Sequence, residues 1–156
     1  MKISLNWLNQ FINLEQYTSK EISKKLTNIG LEVEGENKFD SVRGGLKGIV
    51  IGEVISCIKH PNADKLQLTS VNIGLDVPLS IVCGAPNISV NQKVAVATVG
   101  TELYIGDDSF KIKKSKIRGE ISEGMICSEY ELGIGSNNDG IMVLDPNVKV
   151  GIKGSD

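Results

Sequence analysis

Five cations crowd into eight residues of this chain: Lys111, Lys113, Lys114, Lys116 and Arg118, with Ile112 and Ile117 between them. The glycines Gly119 and Gly124 and the hydroxyls of Ser122 and Ser128 follow directly. Cations beside exposed amides and small hydroxyls suit a sugar-phosphate backbone, because phosphate oxygens accept hydrogen bonds from all three kinds of group. On one strand, Lys114, Lys116 and Arg118 would share a face and Lys111 and Lys113 the other, unless a bulge intervenes. Lysines that guard a sheet edge against aggregation give the same pattern, so the run alone does not separate the two uses.

Two other stretches carry candidate chemistry. "KHPNADKL" holds His60, the only histidine. Pro61 fixes φ and Asn62 and Asp64 bond their own backbone, so the segment reads as a strand-to-strand turn and not as a base with a nucleophile. A surface His60 and Lys65 there would touch a phosphate at most. "IVCGAPN" ends a buried strand at a Gly and a Pro, and leaves Asn87 with a donor and an acceptor for a base edge or phosphate. Aromatic residues make up only 4% of the chain. Base stacking therefore has few platforms, Tyr104 and Tyr130 among them, and shape and phosphate contacts outweigh a sequence code.

The whole chain is not basic. Seventeen Lys and Arg stand against 19 Asp and Glu, a net charge of -2, so any affinity for nucleic acid is local. No run of 18 apolar residues occurs, and the opening segment lacks a signal-peptide cleavage site, which predicts a soluble, unexported, cytoplasmic protein without a membrane partner. Cys57, Cys83 and Cys127 have no zinc-ligand spacing and read as buried free thiols. No metal, nucleophile or phosphate-loop motif appears, so we expect no catalytic, cofactor or metal site in the chain itself.

The elements that position these residues fall into two groups. Thr18 to Glu21 has the form of a capping box, followed by Ile22, Leu26 and Ile29 at helical spacing and closed by Gly30. Leu5, Leu8, Phe11 and Ile12 suggest an earlier helix, and Leu31 to Glu34 alternates as a strand. Residues 36–48 have linker composition, and we place the linker itself at 41–48. Beyond it, short Val/Ile-rich runs separated by turn signals predict a five-stranded Greek-key barrel of the OB type over residues 49–150. The fold class is thus mainly β, with a small N-terminal α+β piece of two helices and a strand over residues 1–40.

"HPNADKLQL", "IVCGAPN" and "KIRGEISEGMICSEYELG" together resemble the tRNA-binding domain shared by the bacterial phenylalanyl-tRNA synthetase beta subunit, some methionyl-tRNA synthetases and stand-alone tRNA-binding proteins. "MKISLNWLNQFINL" with "LTNIGLEVEG" resembles the opening of the phenylalanyl beta subunit. That resemblance implies an OB barrel inserted into a split α+β domain, whose returning half starts at residues 151–156, and makes the chain the N-terminal part of a longer subunit. It implies tRNA contacts at Asn87, Lys114, Lys116, Arg118, Ser122, Met125 and Ser128. It also implies, for the whole enzyme, ATP and magnesium as cofactors and an alpha subunit as partner in a heterotetramer of two alpha and two beta chains. A docking module of that assembly and a stand-alone tRNA-binding or chaperone protein are the competing expectations.

Overall fold

The computed structural model describes residues 2–37 and 41–155, which form two compact units divided after residue 39. In the first unit, α1 (Leu5–Leu8) is a single turn capped by Ser4, shorter than the apolar spacing through Phe11 and Ile12 predicts. Helix α2 (Ser19–Asn28) begins at the expected box: Thr18 Oγ1 accepts the Glu21 amide proton and the Glu21 carboxylate accepts that of Thr18. Those two bonds satisfy amides that the first helical turn leaves without partners. Residues 31–37 are irregular and not a strand, since alternation makes a strand only where a second strand supplies the ladder, and none does so among the described residues.

The second unit is a nearly closed barrel of five antiparallel strands with an OB-type topology. Strand β1 (Ile49–Lys59) is long enough to serve two neighbours. Its first half pairs with β4 (Lys93–Thr98) and its second half with β2 (Gln67–Asn72), with a register shift between Val54 and Ser56 where the strand turns from one to the other. Strand β3 (Leu79–Cys83) continues outward from β2. Two hairpins follow β4: β5 (Glu102–Ile105) with β6 (Asp108–Lys111), then β7 (Ser115–Ile117) with β8 (Glu120–Ser122). Strand β9 (Gly124–Ile126) lies against β4, α3 (Glu129–Leu132) makes one turn, and β10 (Val143–Leu144) pairs on β4 beyond β9.

Alternation explains the core. On β4, Val94 and Val96 face the barrel interior with Val54, Val71, Ile81 and Ile126, while Ala95 and Ala97 face a second cluster with Ile49, Leu103, Ile112, Cys127 and Leu132. The small alanines let that second layer sit close. Gly124 serves the same closeness, because a Cβ there would lie 2.9 Å from the Ala97 carbonyl oxygen. Thr69 is buried in the interior, and its hydroxyl donates to the Ile81 carbonyl at 2.8 Å. Glu53 and Lys93 face each other across β1 and β4, with Nζ 2.8 Å from the carboxylate.

Residues 41–48 pack on the barrel unit. The Arg43 guanidinium stacks 4.8 Å from the Tyr104 ring centroid and donates to the Gly106 carbonyl, and the Gly48 carbonyl accepts from the Thr98 and Thr101 hydroxyls. At the other end, Gly151 and Gly154 donate to the Ile51 and Ile49 carbonyls, so the segment after residue 150 runs beside the start of β1.

Candidate nucleic-acid interface

The basic run does not form one strand. Ile112 is buried in the second cluster and tied both ways, its amide donating to Thr101 and its carbonyl accepting from Gly100, each at 2.8 Å. That anchor splits the cations between two hairpins: Lys111 ends β6, Lys113 and Lys114 lie between strands, and Lys116 sits on β7. Ile117 pairs with Glu120, leaving Arg118 and Gly119 as a two-residue turn. Both have positive φ, 52° and 103°, as a tight hairpin turn matching the strand twist requires. Arg118 therefore projects from the hairpin tip, not from the strand face that alternation predicts.

These cations differ in their surroundings. Lys114 Nζ lies 2.8 Å from the Glu123 carboxylate, and that bond and charge together hold the Glu123 carboxyl below its ordinary range. Lys116 and Arg118 are exposed and have no anionic partner among the described residues. Near the other turn, Lys59 pairs with Asp64 at 3.1 Å, an exposed ion pair of little energetic weight.

His60 supports the hairpin from within. It is 2% exposed, so it is not the surface residue the turn sequence suggests. Its Nδ1 accepts the Asn62 amide proton at 3.0 Å, which leaves the ring proton on Nε2, 3.4 Å from the Ile117 carbonyl oxygen. The imidazole thus joins the turn after β1 to the last residue of β7. Lys65 is exposed and lines a shallow pocket with Gln67, Gly84 and Pro86.

The small polar residues of the site are occupied by the protein. Ser122 is 2% exposed; its oxygen accepts from the Val82 amide at 3.1 Å and its proton goes to the Gly124 carbonyl at 3.0 Å. With the Glu123 amide donating to Ser80 at 2.8 Å, this closes the barrel between β3 and the β8–β9 segment. Asn87 grips Ile141 with both ends of its amide, at 2.9 Å each. Ser128 caps α3 in a second capping box with Glu131 and reaches the Asn138 side chain at 3.2 Å. The Ser-x-x-Glu spacing at 128–131 signals that box in the sequence as clearly as the one at 18–21. Met125 is half-buried against the second cluster. Of the two tyrosines, Tyr104 is taken by Arg43, while Tyr130 is exposed.

A cation-tipped hairpin on an OB-type barrel, held in place by a buried histidine, is the frame on which the sequence comparisons fall. The model of the tRNA binding domain family, tRNA_bind, matches residues 49–153. The chain belongs to the tRNA binding domain family. Its barrel unit carries all of that match. Relatives extend the likeness to the first unit: the phenylalanine–tRNA ligase beta subunit of Bacteroides fragilis is 52% identical over 156 residues, covering 100% of this chain and 19% of its own length. That of Porphyromonas gingivalis is 53% identical over 152 residues, covering 97% of this chain and 18% of its own length. The chain thus spans about a fifth of the curated relatives it matches. Among solved structures, the C-terminal domain of Plasmodium vivax p43 aligns with a TM-score of 0.48 at 25% identity, covering 67% of this chain and 57% of that one. Among the described residues no helix is long and apolar enough to cross a membrane.

Proposed function

We propose that this chain is the tRNA-binding end of a phenylalanine–tRNA ligase beta subunit, and that the β7–β8 hairpin meets tRNA phosphates. The observation that carries the reading is the pair of unpartnered cations, Lys116 and Arg118, at a hairpin whose position His60 fixes. A preset array of cations loses less freedom on binding than cations on a loose loop. Lys114 joins them once its pair with Glu123 is released. Asn87, Ser122, Met125 and Ser128 serve the interface by holding the strands and loops that present it.

The proposal extends to the whole enzyme. The complete subunit works in the cytoplasm with an alpha subunit, two of each in a heterotetramer, using ATP and magnesium to attach phenylalanine to tRNA. This chain supplies tRNA contact and no catalysis. The Lys114–Glu123 pair also favours a second reading, a docking module in which the cations are largely neutralised.

Binding of a phenylalanine-accepting tRNA transcript to the 156-residue chain at two salt concentrations separates them. The tRNA reading expects retention at low salt that falls steeply as salt rises. No retention at low salt would leave the docking reading in its place.

A further inference from the structure

The segment that leads into the barrel follows the β5–β6 hairpin from its tip to its base. Arg43 donates to the Gly106 carbonyl at the hairpin turn and stacks on the Tyr104 ring. Gly44 lies so close that a Cβ there would overlap the same ring. Leu46 packs on the second cluster, which holds both Leu103 and Ile112. At the base, the Gly48 carbonyl accepts from three donors: the Thr98 amide at 3.2 Å, the Thr98 hydroxyl at 3.0 Å and the Thr101 hydroxyl at 2.9 Å. Thr101 is buried, and its own carbonyl accepts the Ile112 amide proton at 2.8 Å. The contacts therefore descend β5 in order, and the last of them reaches the residue that breaks the basic run.

We infer that residues 43–48 are a strap that positions the first half of the basic run, and that Thr101 is the positioning residue through which Gly48 holds Ile112 and the cations on either side of it, Lys111 and Lys113. The inference rests on the reading that the neighbouring β7–β8 hairpin meets tRNA, and it extends that interface to these two lysines. Both are exposed and have no ion-pair partner among the described residues. The need for a strap follows from the hairpin itself. Two strands of four residues are marginal alone, and β6 is exposed along its whole length. Hydrogen bonds in the dry setting around Thr101 are strong, and they tie the hairpin base to the entering chain. Cations held in this way lose less freedom when they meet phosphates. His60 does the same for Lys116 and Arg118, so the basic run has two braces with no residue in common.

The test uses the 156-residue chain and a phenylalanine-accepting tRNA transcript. Thr101→Val keeps the side-chain shape and removes the donor to Gly48, whereas Thr101→Ser keeps the donor. Thr98→Val combined with Thr101→Val removes both hydroxyls from the Gly48 carbonyl. Amide exchange at Ile112 should rise severalfold in Thr101→Val and about tenfold in the double variant, while Val94 and Val96 on β4 stay protected. Affinity for tRNA should fall about threefold and about tenfold in the same order, with the salt slope held because no cation is removed. Thr101→Ser should match the wild type in both readouts. Where the double variant does not fold, the two variants at position 101 decide. Raised exchange at Ile112 with unchanged affinity would leave the strap a structural contact only, and exchange raised equally at Val94 and Val96 would make Thr101 a general stabiliser. Either result overturns the inference, as does an Ile112 amide equally protected in Thr101→Val and wild type. A wild-type chain that binds no tRNA at low salt is a different result, which removes the tRNA reading itself and this inference with it.

Discussion

The Lys114 ammonium lies 2.8 Å from the Glu123 carboxylate, so one cation of the hairpin region faces an anion of its own chain before any RNA arrives. A phosphate that binds Lys114 must displace Glu123. Glu123→Gln removes the competing charge and keeps a hydrogen-bonding side chain. We expect tRNA affinity to rise and the plot of log affinity against log salt to steepen by about 0.7–0.9 units, one added phosphate. The acid side follows with the same sign: Glu123 has a depressed carboxyl pKa, so its ion pair holds at neutral pH and is lost only as pH falls through that lowered value. Wild-type affinity should then approach that of the variant. Filter binding at several salt concentrations measures the slopes, and equal slopes at pH 7 would show that Lys114 gains no phosphate when the Glu123 charge is removed.

Ser122 tests whether a site residue holds the barrel or touches RNA. Its hydroxyl closes the gap between β3 and the β8–β9 segment, and no part of it is free. Ser122→Ala strands the Val82 amide in a buried setting, at about 1–3 kcal/mol. Chemical denaturation should show that loss, while the salt dependence of tRNA binding stays at its wild-type slope. A variant of unchanged stability with a flatter slope would make Ser122 an RNA contact.

Burial gives the thiols a distinct pH signature. Desolvation, with the Glu131 charge adding to it, pushes the Cys127 pKa up to about 12 from an ordinary 9.0. An acid whose folded pKa is raised keeps its proton after the unfolded chain has lost it, so stability falls as pH rises above about 9 and the loss ends near 12. Cys83 shifts in the same direction. At pH 8, alkylation should therefore reach the half-buried Cys57 first, and mass spectrometry after partial unfolding should show Cys127 and Cys83 modified only with global opening. Fast modification of Cys127 in folded protein would contradict the tight packing of the second cluster.

How far the sequence could be read depended on the range over which each feature is set. Local features were legible: the box at Thr18 and Glu21, the strand over 49–59 and the turn signals between strands all depend on neighbours within a few residues. The strand expected at 31–34 was not, since alternation says nothing of whether a partner strand exists. The break in the basic run carries no local signal, because it is imposed by Ile112, an apolar residue buried against Leu103 and Cys127. Asn87, Ser122 and Ser128 stand out in the sequence as candidate RNA contacts, but the intramolecular partners their side chains take, Ile141, Val82 and Asn138, lie 10 to 54 residues away. The alignment of Ser56, Ser70 and Ser80 across β1, β2 and β3 has no local signal at all, being a product of register across three strands.

The remaining prediction concerns Lys116 and Arg118 and separates RNA contact from edge protection. If both neutralise phosphates, Lys116→Ala with Arg118→Ala should flatten the salt plot by about 1.5 units, at roughly 0.7–0.9 per phosphate. Both side chains are exposed, and alanine at 118 meets the same left-handed backbone as arginine does, so stability should move by no more than about 0.5 kcal/mol. Cations that only guard the short β7–β8 hairpin would give the opposite pattern: a double variant that aggregates more readily at unchanged tRNA affinity and slope. His60→Ala provides the bridge between the two. It removes the link from Asn62 to Ile117 without touching either cation, so it should raise amide exchange along β7 and lower affinity while the salt slope holds. A slope unchanged in the folded double variant would leave the hairpin as a docking edge.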